Sequence, residues 1–193
     1  MTNFAIVMSE TKTEQEFKGV MAECRMLFEK KLHDYGASWR ILRPSSLTDQ
    51  LYIKAKRIRT LETTGEARVH EGIRPEYMAL VNYGIVGLIQ LERGYADKVD
   101  VSNAEALSLY DRHADEALRL MLAKNHDYGE AWREMRTTSY TDFILTKLQR
   151  VKEIEDLNGQ TLVSEGIAAN YEDIINYAVF GCIKLKTTER QGE

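Results

Sequence analysis

The chain has 193 residues, a net charge of -4 and two cysteines. A chain of this length buries a sizeable core without crosslinks, and Cys24 and Cys182 lie far apart and outside any C-x-x-C pattern, so neither a disulfide framework nor a zinc or thiol site is predicted. The acidic balance argues against the basic surface of a protein that binds duplex nucleic acid.

The sequence also predicts a cytoplasmic location with no membrane contact. Residues 1–9 are short and apolar, but they lack the basic lead and the apolar length of a secretory signal. No later segment approaches the roughly 18 apolar residues of a membrane span.

A tandem duplication organises the chain. The segment K-x-H-D-Y-G-x-x-W-R begins at Lys31 and again at Lys124, and residues 31–62 align with 124–155 without a gap. The second repeat then has one additional residue, after which the chain from residue 71 aligns with the chain from residue 165. About 23 of roughly 54 paired positions are identical, which helical periodicity alone would not produce.

Three helices are predicted in each repeat, in the same order. The first begins at a capping sequence, within residues 13–16 or 102–105, and ends at D-Y-G. The second follows an S-x-x-D sequence and covers residues 46–62 or 139–157, beyond which glycine ends it.

The third helix starts near Pro75, a favourable first-turn residue, or near Asn170, a good N-cap, and runs to about residue 91 or 185. The fold class is therefore all-α, with repeats at residues 1–93 and 103–187 and a connector at 94–102. Because a three-helix unit has a small core of its own, we expect both repeats to pack as one unit around a pseudo-two-fold axis.

Helix two places a lysine on its apolar face in both repeats. Lys54 and Lys147 share a face with the following residues: Leu47, Leu51, Ile58 and Leu61 in the first repeat, and Tyr140, Ile144, Val151 and Ile154 in the second. A half-buried ammonium needs a carboxylate or an anionic ligand. The alternative is a lysine that extends along the helix to solvent.

Helix three contains a repeated amide, Asn82 or Asn176, within an apolar run. A buried amide needs hydrogen-bond partners, so each asparagine either fixes the core or binds a ligand.

The acidic residues distinguish the two repeats. Asp173 in helix three has Ala79 as its counterpart, and with Glu165 and Asp127 it forms a candidate Mg²⁺ site, because Mg²⁺ accepts one or two carboxylates together with water and phosphate oxygens. The alternative role for Asp173 is a capping box with Asn170.

The aromatic residues after helix one, Tyr128 and Trp132 in the second repeat, either pack in the bundle or stack on a planar ligand. Packing is the commoner role.

Both repeats resemble the nucleotide modification associated domain 1 family, over most of the chain. The pattern is K-x-x-D-Y-G and an aromatic residue, then K-x-x-R, E-x-I and D-x-x-N-Y. The second repeat matches it at Lys124, Asp127, Tyr128, Gly129, Trp132, Lys147, Arg150, Glu165, Ile167, Asp173, Asn176 and Tyr177. The first repeat keeps Lys31, Asp34, Tyr35, Gly36, Trp39, Lys54, Arg57, Glu71, Ile73, Asn82 and Tyr83, but not the acid of helix three.

The resemblance implies a connection with nucleotide metabolism. A looser similarity links the chain to the all-α nucleoside triphosphate pyrophosphohydrolases, whose Mg²⁺-binding E-x-x-E and E-x-x-D helix motifs are not reproduced here.

The leading hypothesis is therefore a nucleotide-handling protein, with Mg²⁺-dependent hydrolysis of a phosphoanhydride in the second repeat. Catalytic and metal-binding roles fall to Asp127, Glu165 and Asp173. The ligand-binding candidates are Lys124, Tyr128, Trp132, Lys147, Arg150 and Asn176, with Lys54 and Arg57 from the first repeat. The alternatives are a nucleotide-binding module without catalysis and a helical scaffold or oligomerisation protein, for which a homodimer is the simplest form.

Overall fold

The computed structural model describes residues 10–65, 72–162 and 165–191, with side chains up to residue 187. The expectation that residues 1–9 are not a secretory signal therefore lies outside the described residues, as does Glu71 of the family pattern. No helix in the described part of the chain has the length and apolar character needed to cross a membrane.

The described residues form six α-helices and no strand, which confirms the all-α prediction with three helices in each repeat. The helices are α1 Lys12–Tyr35, α2 Pro44–Thr64, α3 Ile73–Arg93, α4 Asn103–Tyr128, α5 Thr137–Asp156 and α6 Gly166–Gln191. Two 3₁₀ turns that the sequence did not predict, Ser38–Ile41 and Ala131–Glu134, carry the W-R dipeptides between the first and second helices of each repeat.

The first helices begin at capping threonine and serine residues. Ser102 caps α4 as predicted, because its hydroxyl accepts from the Glu105 amide at 3.2 Å. The cap of α1 is Thr11 instead of a residue within 13–16, and its hydroxyl accepts from the Glu14 amide at 3.2 Å. An oxygen at the N-cap satisfies an amide that the helix leaves without a partner.

The second and third helices begin earlier than predicted. Proline suits the first helical turn, and α2 starts at Pro44, so Ser46 lies inside the helix. In α6, which starts at Gly166, Asn170 donates from Nδ2 to the Gly166 carbonyl at 2.6 Å. Asn170 is therefore inside the helix, and the capping box with Asp173 is wrong.

The arginine of each W-R dipeptide binds the start of the other repeat's first helix. The buried Arg40 guanidinium donates to Asp100, just before α4, at 2.7 and 3.1 Å. Arg133 donates to Thr13 and Glu16 in the first turn of α1, both at 2.7 Å. The two repeats are thus joined by equivalent contacts in both directions.

The third helices, α3 and α6, pack on each other at the centre of the bundle, with α2 against α5 beside them. Two equivalent hydrogen-bond networks cross this interface. In each, a tyrosine of one repeat contacts the hydroxyl of a threonine in the other repeat. That threonine donates to a glutamate in the same repeat as the tyrosine. The first network contains Tyr77, Thr141 and Glu62, and the second contains Tyr171, Thr48 and Glu155. The oxygen–oxygen distances are 2.7 to 3.0 Å. Such reciprocal contacts confirm the pseudo-two-fold packing of the repeats.

Close approach of α3 and α6 depends on glycine. A Cβ added to Gly87 would lie 2.7 Å from the ring of Tyr171, and one added to Gly181 would lie 2.8 Å from the ring of Tyr77. Both tyrosines are buried, so neither ring has free space into which it can move.

We therefore expect Gly87→Ala to lower the free energy of unfolding by about 1–3 kcal/mol, the usual cost of overpacking a core. The matched control is Gly19→Ala in α1, where a Cβ meets nothing within 4 Å. Alanine there should stabilise the helix by up to about 1 kcal/mol. Urea denaturation measures both, and equal stabilities of the two variants would contradict the packing account.

Candidate functional site

Three helices of the second repeat meet at one carboxylate. Asp173 of α6 accepts from Lys124 Nζ of α4 at 2.5 Å through Oδ1, and it pairs with Lys147 Nζ of α5 at 2.6 Å through Oδ2. The Asp173 residue is only 8% exposed. The prediction that Lys147 is a half-buried lysine with an acidic partner is therefore confirmed, and Asp173 is that partner.

This carboxylate is held in its charged form. Burial raises the pKa of Asp173, but the hydrogen bonds and charges of Lys124 and Lys147 outweigh that effect, so the pKa lies below its ordinary value. Burial likewise lowers the pKa of Lys124, and Asp173 more than compensates, so that pKa is raised. The three groups form an ionised cluster with one excess positive charge.

An open cleft of about 1590 Å³ lies over this cluster, between α4, α5 and the start of α6. Six predicted site residues line it: Lys124, Tyr128, Lys147, Arg150, Glu165 and Asp173. Tyr128 is 73% exposed, and Arg150 forms no ion pair with any residue that the structure describes. A phenol ring and a guanidinium group are thus available to a ligand in the cleft.

A second, more apolar pocket of about 240 Å³ adjoins the cleft and shares Lys124, Tyr128 and Asp173 with it. Trp132 and Asn176 also line this pocket. Trp132 is only 6% exposed, its indole stacks on Phe180 with ring centroids 4.4 Å apart, and the Arg133 guanidinium carbon lies 4.3 Å from its centroid. With these two partners, Trp132 packs in the bundle, which is the commoner of the two predicted roles.

The structure does not bring Asp127 to the site. Its side chain is 76% exposed, its carboxylate contacts Nδ1 of the neighbouring His126 at 3.2 Å, and it lines neither the cleft nor the pocket. Among the residues that the structure describes, no group of three or more His, Cys, Asp or Glu side chains could hold a metal ion. The ligand set of Asp127, Glu165 and Asp173 is therefore not assembled, and the involvement of Mg²⁺ stays a prediction.

The first repeat has an acid in helix three that sequence analysis missed. Glu76, one turn before Ala79, is buried and lies 3.2 Å from Lys54 Nζ, while its other oxygen accepts from Arg57. The prediction that helix three of this repeat has no acid is therefore wrong. Its carboxylate lies one turn before Ala79, the position that aligns with Asp173. The sequence could have indicated this residue, because positions 76 and 79 lie on the same face of the helix. Lys54 and Arg57 therefore form a structural ion-paired cluster with Glu76.

Fold and site together define an all-α protein built from two equivalent helical repeats, with a charged cleft in the second. The family model described as nucleotide modification associated domain 1 matches residues 31–91 and 124–185, and the chain belongs to that family. No match was found among curated proteins or among solved structures.

The depressed pKa of Asp173 predicts a pH-dependent contribution to stability. The unfolded carboxyl titrates at about pH 3.9, so the contribution is present above that pH and is lost as the pH falls through the lower pKa of the folded state. We expect Asp173→Asn to cost about 2–3 kcal/mol at neutral pH, less than a fully buried pair because Lys124 is half exposed.

Urea denaturation of the unmodified protein and of Asp173→Asn between pH 7 and pH 2.5 measures the difference between their free energies of unfolding. The other carboxylates affect both proteins equally and cancel in this difference. The difference should shrink below pH 4. A difference that stays constant over the whole range would contradict the ion-paired state of Asp173.

Proposed function

We propose that this protein binds a nucleotide in the cleft of the second repeat. The observation that carries the proposal is the convergence of Lys124 and Lys147 on the single carboxylate of Asp173, with Arg150 in the same cleft and not ion-paired to any described residue. Lysine and arginine are the usual ligands of phosphate, to which they donate charge-assisted hydrogen bonds. The family description, which concerns nucleotide modification, supports this ligand class.

Tyr128 supplies the second part of such a site. Its ring is largely exposed at the border of cleft and pocket, next to Lys124. Stacking on an exposed aromatic ring contributes about 1–3 kcal/mol per base in proteins that bind single-stranded nucleic acids. A nucleotide would thus place phosphate near Arg150 and the lysines and its base near Tyr128.

A Mg²⁺-dependent hydrolase is the second candidate, and the position of Glu165 favours it. Glu165 lines the same cleft as Asp173, and two carboxylates suffice for a Mg²⁺ ion that also takes phosphate oxygens and water. Both oxygens of Asp173 are already bound by ammonium groups, however, and a metal would have to displace one of them. Binding without hydrolysis is the better supported function.

Binding is tested by isothermal titration calorimetry with nucleoside mono-, di- and triphosphates, with and without Mg²⁺. Lys147→Met and Arg150→Ala should each weaken binding about tenfold or more, equivalent to about 1.4 kcal/mol, because each removes a phosphate contact. The matched control is Lys54→Met, the equivalent lysine of the first repeat, which should leave binding unchanged. If no nucleotide binds the unmodified protein, and Lys147→Met leaves it fully stable, the scaffold function replaces this proposal.

The hydrolase candidate has its own test, a screen of nucleoside triphosphates for phosphate and pyrophosphate release with Mg²⁺. A hydrolase should require the metal and lose turnover in Asp173→Ala, because that carboxylate would hold the ion. Absence of turnover with every nucleotide that binds, or turnover unchanged in Asp173→Ala, would reject catalysis at this site while leaving binding intact.

A further inference from the structure

The amide of Asn176 has no hydrogen-bond partner among the residues that the structure describes. The residue is only 5% exposed, and both Nδ2 and Oδ1 are buried without a partner. The Oδ1 atom of Asn125, which lines the same pocket, is also buried and unpartnered. Buried polar atoms are nearly always hydrogen bonded, because leaving one unpaired forfeits its hydration without compensation.

The first repeat shows what a satisfied amide looks like at the same place in the fold. Asn82 donates from Nδ2 to the Cys24 carbonyl at 3.1 Å, and its Oδ1 accepts from the Tyr110 hydroxyl at 2.8 Å. In the register that aligns the repeats, the counterpart of Tyr110 is Phe17, which has no hydroxyl group. The unpaired amide is therefore specific to the second repeat.

The unpartnered Oδ1 of Asn125 is likewise specific to the second repeat. Its counterpart in the first repeat is Leu32, a buried apolar residue. The second repeat thus has unpaired polar atoms at two positions. The first repeat has a hydrogen-bonded amide at one of these positions and an apolar side chain at the other. Both positions line the pocket of about 240 Å³ that adjoins the charged cleft.

The pocket suits a small planar group. Its volume is below the range of about 300–1,000 Å³ typical of sites for drug-sized ligands, which leaves room for one heterocycle. Aromatic and methionine side chains dominate its walls: Met121, Trp132, Met135, Phe143, Tyr177 and Phe180. Flat apolar walls with a few buried, unpaired polar atoms are the usual composition of a site that identifies a ring by its polar edge.

We propose that this pocket binds the heterocyclic base of the ligand, and that Asn176 identifies the base by its edge. The amide donates from Nδ2 to a ring acceptor and accepts at Oδ1 from the adjacent donor, so the ligand class is a planar heterocycle with one donor beside one acceptor. The inference rests on the proposed function, because the phosphate of the same molecule occupies the cleft beside Lys124 and Asp173.

The test compares nucleoside monophosphates with ribose 5-phosphate, which keeps the sugar and phosphate but has no base, by calorimetry. The unmodified protein should bind at least one nucleotide about tenfold or more tightly than ribose 5-phosphate, since a site with buried polar groups discriminates strongly against a ligand that cannot pair with them. Asn176→Leu, which keeps the side-chain size, should remove this preference without lowering the melting temperature.

Two further variants use the other repeat as a control. Asn82→Leu breaks the bonds to Cys24 and Tyr110, so it should lower the melting temperature while leaving the preference for the base intact. Phe17→Tyr places a hydroxyl at the position that corresponds to Tyr110, and by the symmetry of the repeats we expect it to pair with Asn176. The variant should therefore weaken nucleotide binding and leave ribose 5-phosphate binding unchanged.

The outcomes separate this inference from the proposed function. If nucleotides bind no better than ribose 5-phosphate, or if Asn176→Leu retains the preference, base recognition by Asn176 is overturned and phosphate binding stands. If no phosphorylated ligand binds, the proposed function is overturned, and free nucleosides then decide the inference: binding that Asn176→Leu abolishes supports it, and absence of binding overturns it.

Discussion

The contact between tyrosine and glycine at the crossing of α3 and α6 sets the geometry of the whole bundle. Each ring lies against a backbone with no side chain, so the two central helices approach more closely than larger residues would allow. Gly84 contributes in the same way, because a Cβ there would lie 2.7 Å from Ile175. Only at this separation can the tyrosine hydroxyls reach the threonines of the opposite repeat.

The close helix pair fixes where the acidic residues of α3 and α6 meet the second helices. In the first repeat the carboxylate is at position 76 and binds Lys54 and Arg57. In the second it is one turn later, at Asp173, and binds Lys124 and Lys147. A one-turn shift on an equivalent framework exchanges an arginine partner for a lysine of the first helix. Arg150 then lies in the cleft without an ion pair to any residue in the described part of the chain.

The same divergence is repeated deeper in the bundle. The first repeat satisfies its buried amide with a tyrosine from α4, whereas the second has phenylalanine from α1 at the equivalent place. The first repeat therefore satisfies this amide, whereas in the second it has no hydrogen-bond partner among the described residues and lies beside an open cleft.

Part of this organisation could be predicted from sequence. The duplication, the helix count and the need of Lys147 for an acid all follow from spacing and burial, which are properties of single helices. Glu76 was missed and Asp127 was wrongly grouped with Asp173, because both depend on how far one helix is rotated and shifted against another. No spacing within a repeat indicates that Tyr110 binds Asn82, since that contact crosses between the repeats.

On the proposed function, the two equivalent repeats provide one ligand site per chain and not two. The number of nucleotides bound per chain, measured by equilibrium dialysis at saturating ligand, tests it most directly. We expect a stoichiometry of one, with Lys147→Met weakening the binding about tenfold or more and Lys54→Met leaving it unchanged. Two equivalent sites per chain, or one site that is unchanged in Lys147→Met and weakened in Lys54→Met, would contradict a single site in the second repeat.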